Sequence, residues 1–125
     1  MATKKMTAPQ WLDLPEDHDY PAAASYLSLT LVEKKTKKLV AALRKAEITH
    51  FKAKDIFRAS GLSLLGVSNS HVEKDRKKII KGMRLSPLLL IRDSEKGRVI
   101  VADGYHRLCA VYDMDEDALI PCKIA

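Results

Sequence analysis

Four residues in the last third of the chain carry groups that could do chemistry together. Asp103, Gly104, His106 and Arg107 fall within "VADGYHRLCAVY", residues 101–112, where the β-branched run "RVIVAD" gives way to a stretch with helical character. A helix N-terminus leaves backbone N–H groups unpaired and carries partial positive charge, so anions bind there. A glycine just ahead of the helix lets a bulky phosphate approach the backbone. An arginine in the first turn adds a bidentate grip, and a histidine donates in either charge state. Asp103 has two readings: a cap on the helix, or a group that holds a metal or orients a hydroxyl beside the phosphate. A packing alternative stands beside the anion site. In it Asp103-Gly104 is only a turn, Arg107 a surface residue and His106 a satisfied hydrogen-bonder.

The elements that must position this junction can be read from periodicity and punctuation. Residues 1–18 form a polar tail with one apolar anchor, Trp11. Asp19 offers an N-cap, with Pro21 just inside a helix start. The Ala/Leu/Lys-rich stretch that follows reads as one long helix, or as two joined near residues 30–35, where "EKKTKK" breaks the apolar stripe. "HFKA" is a short entry strand. "AKDIFRAS" makes one or two helical turns ending at Gly61, and "SLLGVSN" is loop. Ser70 with Glu73 predicts a capping box for the next helix. On that helix Val72, Ile79, Ile80 and Met83 share one side. His71, Lys74 and Lys78 share a neighbouring side, within about 60° of each other at 3.6 residues per turn. "LLLIRD" and "RVIVAD" are strands joined by the turn "SEKG". "LIPCKIA" closes the domain, with Ile120, Cys122 and Ile124 on one face and Pro121 marking an edge or an irregular start.

At 125 residues this is one domain's worth of chain. The expected fold class is α+β: a small mixed sheet with packed helices over residues 49–125, and an N-terminal tail and helical extension over 1–48. Cys109 and Cys122 show neither CxxC nor zinc-ligand spacing, so they read as free buried thiols, and no metal site is expected. The chain has no membrane-length apolar stretch, and no apolar segment follows its basic start, so the expected location is the cytoplasm, away from the membrane.

The net charge of +6 is unevenly spread. Residues 33–58 carry +6 and residues 70–84 carry +4, while acids gather in "DLPEDHD" and "DMDED". That polarity suits an anionic partner such as a nucleotide or nucleic acid, and it equally describes solvated helix faces. His18 and His50 stand isolated. The chain has no Gly-x-Ser-x-Gly, Walker loop or HExxH, which leaves serine hydrolase, P-loop and zincin chemistry without support.

The order of elements, with "SPLLLI", "VADGYHRLCAVY" and "IPCKIA", resembles the ParB/sulfiredoxin-like domain family over residues 49–125. The resemblance implies that the junction binds nucleotide phosphates through Gly104, Tyr105, His106 and Arg107. It implies further contacts to the nucleotide from the helix positions occupied here by His71, Lys74 and Lys78. Family members use ATP or CTP, and a serine kinase branch carries an Asp-Gly-His-Thr-Arg version of the junction. Asp103 would then bind Mg²⁺ or take a hydroxyl proton, with Asp55 as the acid nearest the kinases' catalytic glutamate. Tyr105 stands where sulfiredoxins carry their catalytic cysteine, which argues against sulfinic-acid reductase activity. Tyr105 either stacks on a base or covers the core.

The function expected from these residues is binding of a nucleotide (ATP, ADP or CTP, with or without Mg²⁺) or another phosphate, for phosphoryl transfer or switching. The alternative is a basic nucleic-acid-binding module of the ParB-like nuclease type, without nucleotide chemistry. The long N-terminal helix could also mediate a homodimer, or simply pack on the sheet.

Overall fold

The computed structural model describes residues 8–66 and 68–125; the basic start of the chain and Val67 of the predicted loop lie outside the described residues. Strand β1 (Gln10–Trp11) leads to helices α1 (Asp19–Leu27) and α2 (Glu33–Lys45). Then come β2 (Thr49–Lys52), α3 (Ala53–Ser60), α4 (Ser70–Ile80), β3 (Arg84–Leu85), β4 (Leu88–Asp93), β5 (Arg98–Asp103), α5 (Tyr105–Met114) and β6 (Leu119–Ile124). The main sheet is mixed, in the order β2-β6-β4-β5. β6 runs antiparallel to β2 and parallel to β4, and β4 and β5 form an antiparallel hairpin. The coarse expectation of a small mixed sheet with packed helices therefore holds.

Strand β4 is the reason for the layering. Its run Leu88–Ile91 is buried on both sides, so both faces of the sheet must be covered. Leu88 and Leu90 join Val99, Val101, Ile120 and Cys122 under α3, α4 and α5. Leu89 and Ile91 point the other way, with Ala102, and meet Tyr20, Ala23, Leu27 and Leu43 from α1 and α2. The N-terminal helices thus pack on the sheet. Lys123, only 5% exposed, strengthens the join: its ammonium donates to the Arg44 carbonyl at 2.8 Å, and Arg44 lies 4.3 Å from the Tyr20 ring centre.

Several local expectations change. Of the two readings of the stretch after Asp19, the structure takes the second: two helices, broken where the lysine run begins. Asp19 does not cap α1: it is the first helical residue, and His18 occupies the cap position. The Asp19 carboxylate is buried and accepts from the Glu16 N–H and the Ser86 hydroxyl, stitching the helix start to the residue before Pro87. The cap of α4 is Asn69, whose Oδ1 accepts from the N–H groups of His71 and Val72, so Ser70 and Glu73 form no capping box. Asn lies one position earlier and caps as well as Ser, which is why the spacing misled. Val72 and Ile79 are core, but Ile80 and Met83 are about half exposed. Pro121 sits in an inner strand. The parallel register with β4 begins only at Cys122, so its missing N–H falls ahead of that ladder. Cys109 and Cys122 are free and buried, and burial pushes the Cys122 thiol up to about 12. Among the described residues, no helix is long and apolar enough to cross a membrane.

Leu43 is fully buried between α2 and the sheet. Leu43→Ala should cost about 2–5 kcal/mol, as for a large-to-small change in a core. Urea unfolding followed by circular dichroism measures this, and a loss below about 0.5 kcal/mol would mean that α2 is dispensable to the core.

Candidate functional site

The turn from β5 into α5 is made by Gly104, at φ +106°. Two neighbours require a residue without a side chain there. A Cβ would lie 2.8 Å from Leu88 Cγ and 2.9 Å from an Arg107 guanidinium nitrogen. Leu88 is fully buried and has nowhere to go. The glycine therefore serves packing first, and that packing sets where Arg107 lies.

Arg107, in the first turn of α5, folds back so that one guanidinium nitrogen donates to Asp103 Oδ2 at 3.0 Å. Both side chains are mostly buried, at 18% and 17% exposure. Arg107 Nε is buried with no hydrogen-bond partner among the described residues. Burial pushes the Asp103 carboxyl up. The Arg107 charge and hydrogen bond pull it down less strongly, Asp19 pushes it up, and His18 pulls it down. Asp103 is therefore neither a helix cap nor a free carboxylate, but half of a largely desolvated pair.

Around this pair lies a polar cleft of about 140 Å³, lined by His71, Asp75, Asp103, Gly104, Tyr105, His106 and Arg107. The His71 and His106 rings face each other at 4.8 Å between centres. Burial, then the neighbouring His71, lowers the His106 imidazole; Asp75 opposes this and Arg107 adds to it. At neutral pH His106 is therefore uncharged, and acidification through and below its ordinary value of 6.5 adds positive charge to the cleft. Among the described residues no side chain caps α5, and its first turn holds no acid. The orphan N–H groups of that turn are left for another partner.

Tyr105 has a structural task. Its hydroxyl donates to the Ser63 carbonyl, and its ring packs on the core, so it ties the loop after α3 to the start of α5.

The fold thus brings together Asp103, Gly104, Tyr105, His106, Arg107 and His71. It leaves three expected residues outside. Asp55 sits on α3, paired with Arg58 at 2.8 Å, beside an apolar hollow formed with Phe51, Ile56, Ala59, Leu90, Val99 and Ile124. Lys74 is exposed, Lys78 is half-buried, and neither lines the cleft. The helix turns Asp75 inward instead. Asp75 lies four residues after His71, on the same helix face, and that i,i+4 relation was available in the sequence. His18 and Asp19, which act on the titration of Asp103, carried no such signal. They reach it only through the fold. A larger hollow of about 400 Å³ lies between Trp11, Leu12, Asp13, Ile48, His50, Leu119 and Pro121, away from any helix start.

No protein-family model, curated protein or solved structure matches the chain.

Gly104→Ala should destabilise more than Gly61→Ala. Both glycines have positive φ, but among the described residues nothing lies within 4 Å of a Cβ at Gly61. Gly61→Ala should cost about 1 kcal/mol from backbone strain alone, and Gly104→Ala about 2–4 kcal/mol once overpacking against Leu88 is added. Chemical denaturation of the two variants side by side tests the ranking, and equal losses would refute the tight approach.

Proposed function

We propose that the β5–α5 junction binds a phosphate group, and that the ligand is a cytoplasmic nucleotide such as ATP, ADP or CTP. The observation that carries this reading is the convergence at one helix start. An uncapped first turn, the Arg107 guanidinium and two imidazoles all border one polar cleft. At about 140 Å³ the cleft is well below the roughly 300 Å³ where drug-sized sites begin, so it suits a phosphate, with the rest of the nucleotide lying over the open surface. The ParB/sulfiredoxin-like resemblance of residues 49–125 supports the same ligand class.

Gly104 admits the phosphate to the backbone, and the N–H groups of Tyr105, His106 and Arg107 donate to it. Arg107 neutralises charge and is held in place by Asp103. His71 and His106 add donors, and His106 adds positive charge when protonated. Phosphoryl transfer or switching is the use to which such a site would be put. Mg²⁺ fits the residues present in a limited way. Asp75 borders the cleft and Asp103 keeps one oxygen outside its Arg107 hydrogen bond, but among the described residues no three metal-ligating side chains gather. A Mg²⁺ ion would therefore arrive with the nucleotide, held by one or two carboxylates and the phosphates, and would neutralise phosphate charge. Asp75 and His106, rather than Asp55, are then the groups placed to take a proton.

A second reading rests on α4. Lys74, Lys77 and Lys81 are exposed, Lys78 is half-buried, and none makes an ion pair among the described residues. This basic row lies on the helix that supplies His71 to the cleft, and it suits a nucleic-acid backbone.

Calorimetry with ATP, ADP, CTP and GTP, each with and without Mg²⁺, tests the first reading. One nucleotide should bind, Arg107→Ala should weaken it about 10- to 100-fold by loss of charge-assisted hydrogen bonds, and affinity for sulfate should rise more steeply from pH 7.5 to 5.5 in wild type than in His106→Gln. No binding by any nucleotide or by sulfate would refute it. Under the second reading duplex DNA binds instead, its affinity falls with salt at a log–log slope of about −0.9 per phosphate neutralised, and Lys74→Glu with Lys78→Glu flattens that slope while Arg107→Ala does not.

A further inference from the structure

Strand β5 is an outer strand of the sheet, paired among the described residues with β4 alone. In an antiparallel pair, alternate residues turn their N–H and C=O away from the partner, so the free side of β5 presents unpaired backbone groups. Among the described residues, no backbone or side-chain hydrogen bond reaches these groups from another element. Proteins usually blunt such an edge with charge, proline, a bulge on the free side or a covering loop. The other outer strand, β2, is short and carries exposed His50 and Lys52. After Arg98, whose guanidinium is engaged with Asp93 at 3.0 Å, the run Val99-Ile100-Val101 carries no charge and no proline; the register irregularity opposite Leu89 and Leu90 comes only after it, at Ala102.

The edge also has apolar walls. A groove of about 150 Å³ runs beside residues 98–101, bordered by Tyr26, Leu29 and Thr30 at the end of α1 and by Ser60 and Leu62 at the end of α3. Helix ends from both layers of the fold therefore flank one open strand. Leu29 is 78% exposed, and Tyr26 and Leu62 are also exposed. An added strand would turn alternate side chains toward the two walls, where Tyr26 and Leu29 on one side and Leu62 on the other offer apolar contact.

We propose that this edge accepts an extended apolar segment of another protein, flanked by acidic residues, as an additional strand. The backbone would supply affinity, and the Tyr26–Leu29 and Leu62 walls would select apolar side chains at successive positions. A second copy of this chain fits less well. Two copies each carry +6 and repel. A stable dimer also needs upwards of about 1,000 Å² of buried surface, more than a recessed six-residue edge supplies. The positive net charge favours an acidic partner. The proposal is independent of the phosphate site.

The probe is a synthetic peptide of alternating valine and isoleucine flanked by glutamates, titrated into the full chain and followed by amide-resolved NMR. Shifts should concentrate on Arg98–Ala102 and on the neighbours of Leu29 and Leu62. Methylating alternate peptide nitrogens should weaken binding at least about tenfold, the loss expected from one or two net backbone hydrogen bonds. Leu29→Asp, at a position too exposed to endanger the fold, should weaken it similarly. Absence of shifts at millimolar peptide, or equal binding of the methylated peptide, would overturn strand addition. Equal binding of a lysine-flanked peptide would overturn the acidic partner. A dimer in sedimentation velocity whose β5 amides already resist hydrogen exchange would replace the partner segment with a second copy.

Discussion

The contact of Leu88 with Gly104 joins the core to the site. Leu88 begins the strand that is buried on both faces, so its side chain is fixed by packing from several directions. Gly104 lies against it with no room for a Cβ, and the Arg107 guanidinium fills the remaining space. The backbone leaves β5 at positive φ because this is how it can turn into α5 without pushing Leu88 aside. The direction of α5, the exposure of its first N–H groups and the position of Arg107 all follow from that turn.

Electrostatics at the cleft depend on the same placement. Asp103 and Arg107 are four residues apart and would pair weakly in water, as exposed i,i+4 pairs do. Held in a mostly buried position, they are lifted out of water: the carboxyl is pushed up by lost solvation, and Arg107 Nε has no partner among the described residues. The cleft is therefore not simply basic. It holds one compensated guanidinium, two imidazoles and the carboxylates of Asp75 and Asp103, and its charge depends on the protonation of His106. The helices α1 and α2 also matter to it, because the clamp of Asp19 on Ser86 brings His18 and Asp19 to bear on Asp103.

Local chemistry made most of the elements legible. The hairpin "LLLIRD-SEKG-RVIVAD", the glycine that ends α3, the alternation in "LIPCKIA" and the glycine before α5 each signal structure within a few residues, and each appears at its expected place. The misreadings were also local. At α4 a strong cap, Asn69, preceded a plausible one, Ser70, and at α1 an aspartate that looked like a cap was used for a tertiary contact. Pro121 pointed to an edge because sequence does not reveal where a neighbouring ladder starts.

By itself the sequence determined most of the helices, the strands of the main sheet, the free thiols and the junction of Asp103, Gly104, His106 and Arg107, because periodicity, capping and turn preference act over a single turn or a single hairpin; the short pair β1 and β3, which joins residues more than 70 apart, left no such local mark. Only the tertiary structure decided what meets that junction. It placed His71 and Asp75 across from His106, turned Lys74 and Lys78 away, kept Asp55 beside another hollow and exposed the outer edge of β5 between two helix ends. Those outcomes depend on the rotation and docking of whole elements on a sheet buried from both sides. That docking is fixed by the sum of many apolar contacts between distant segments, and no short stretch of the chain carries that sum.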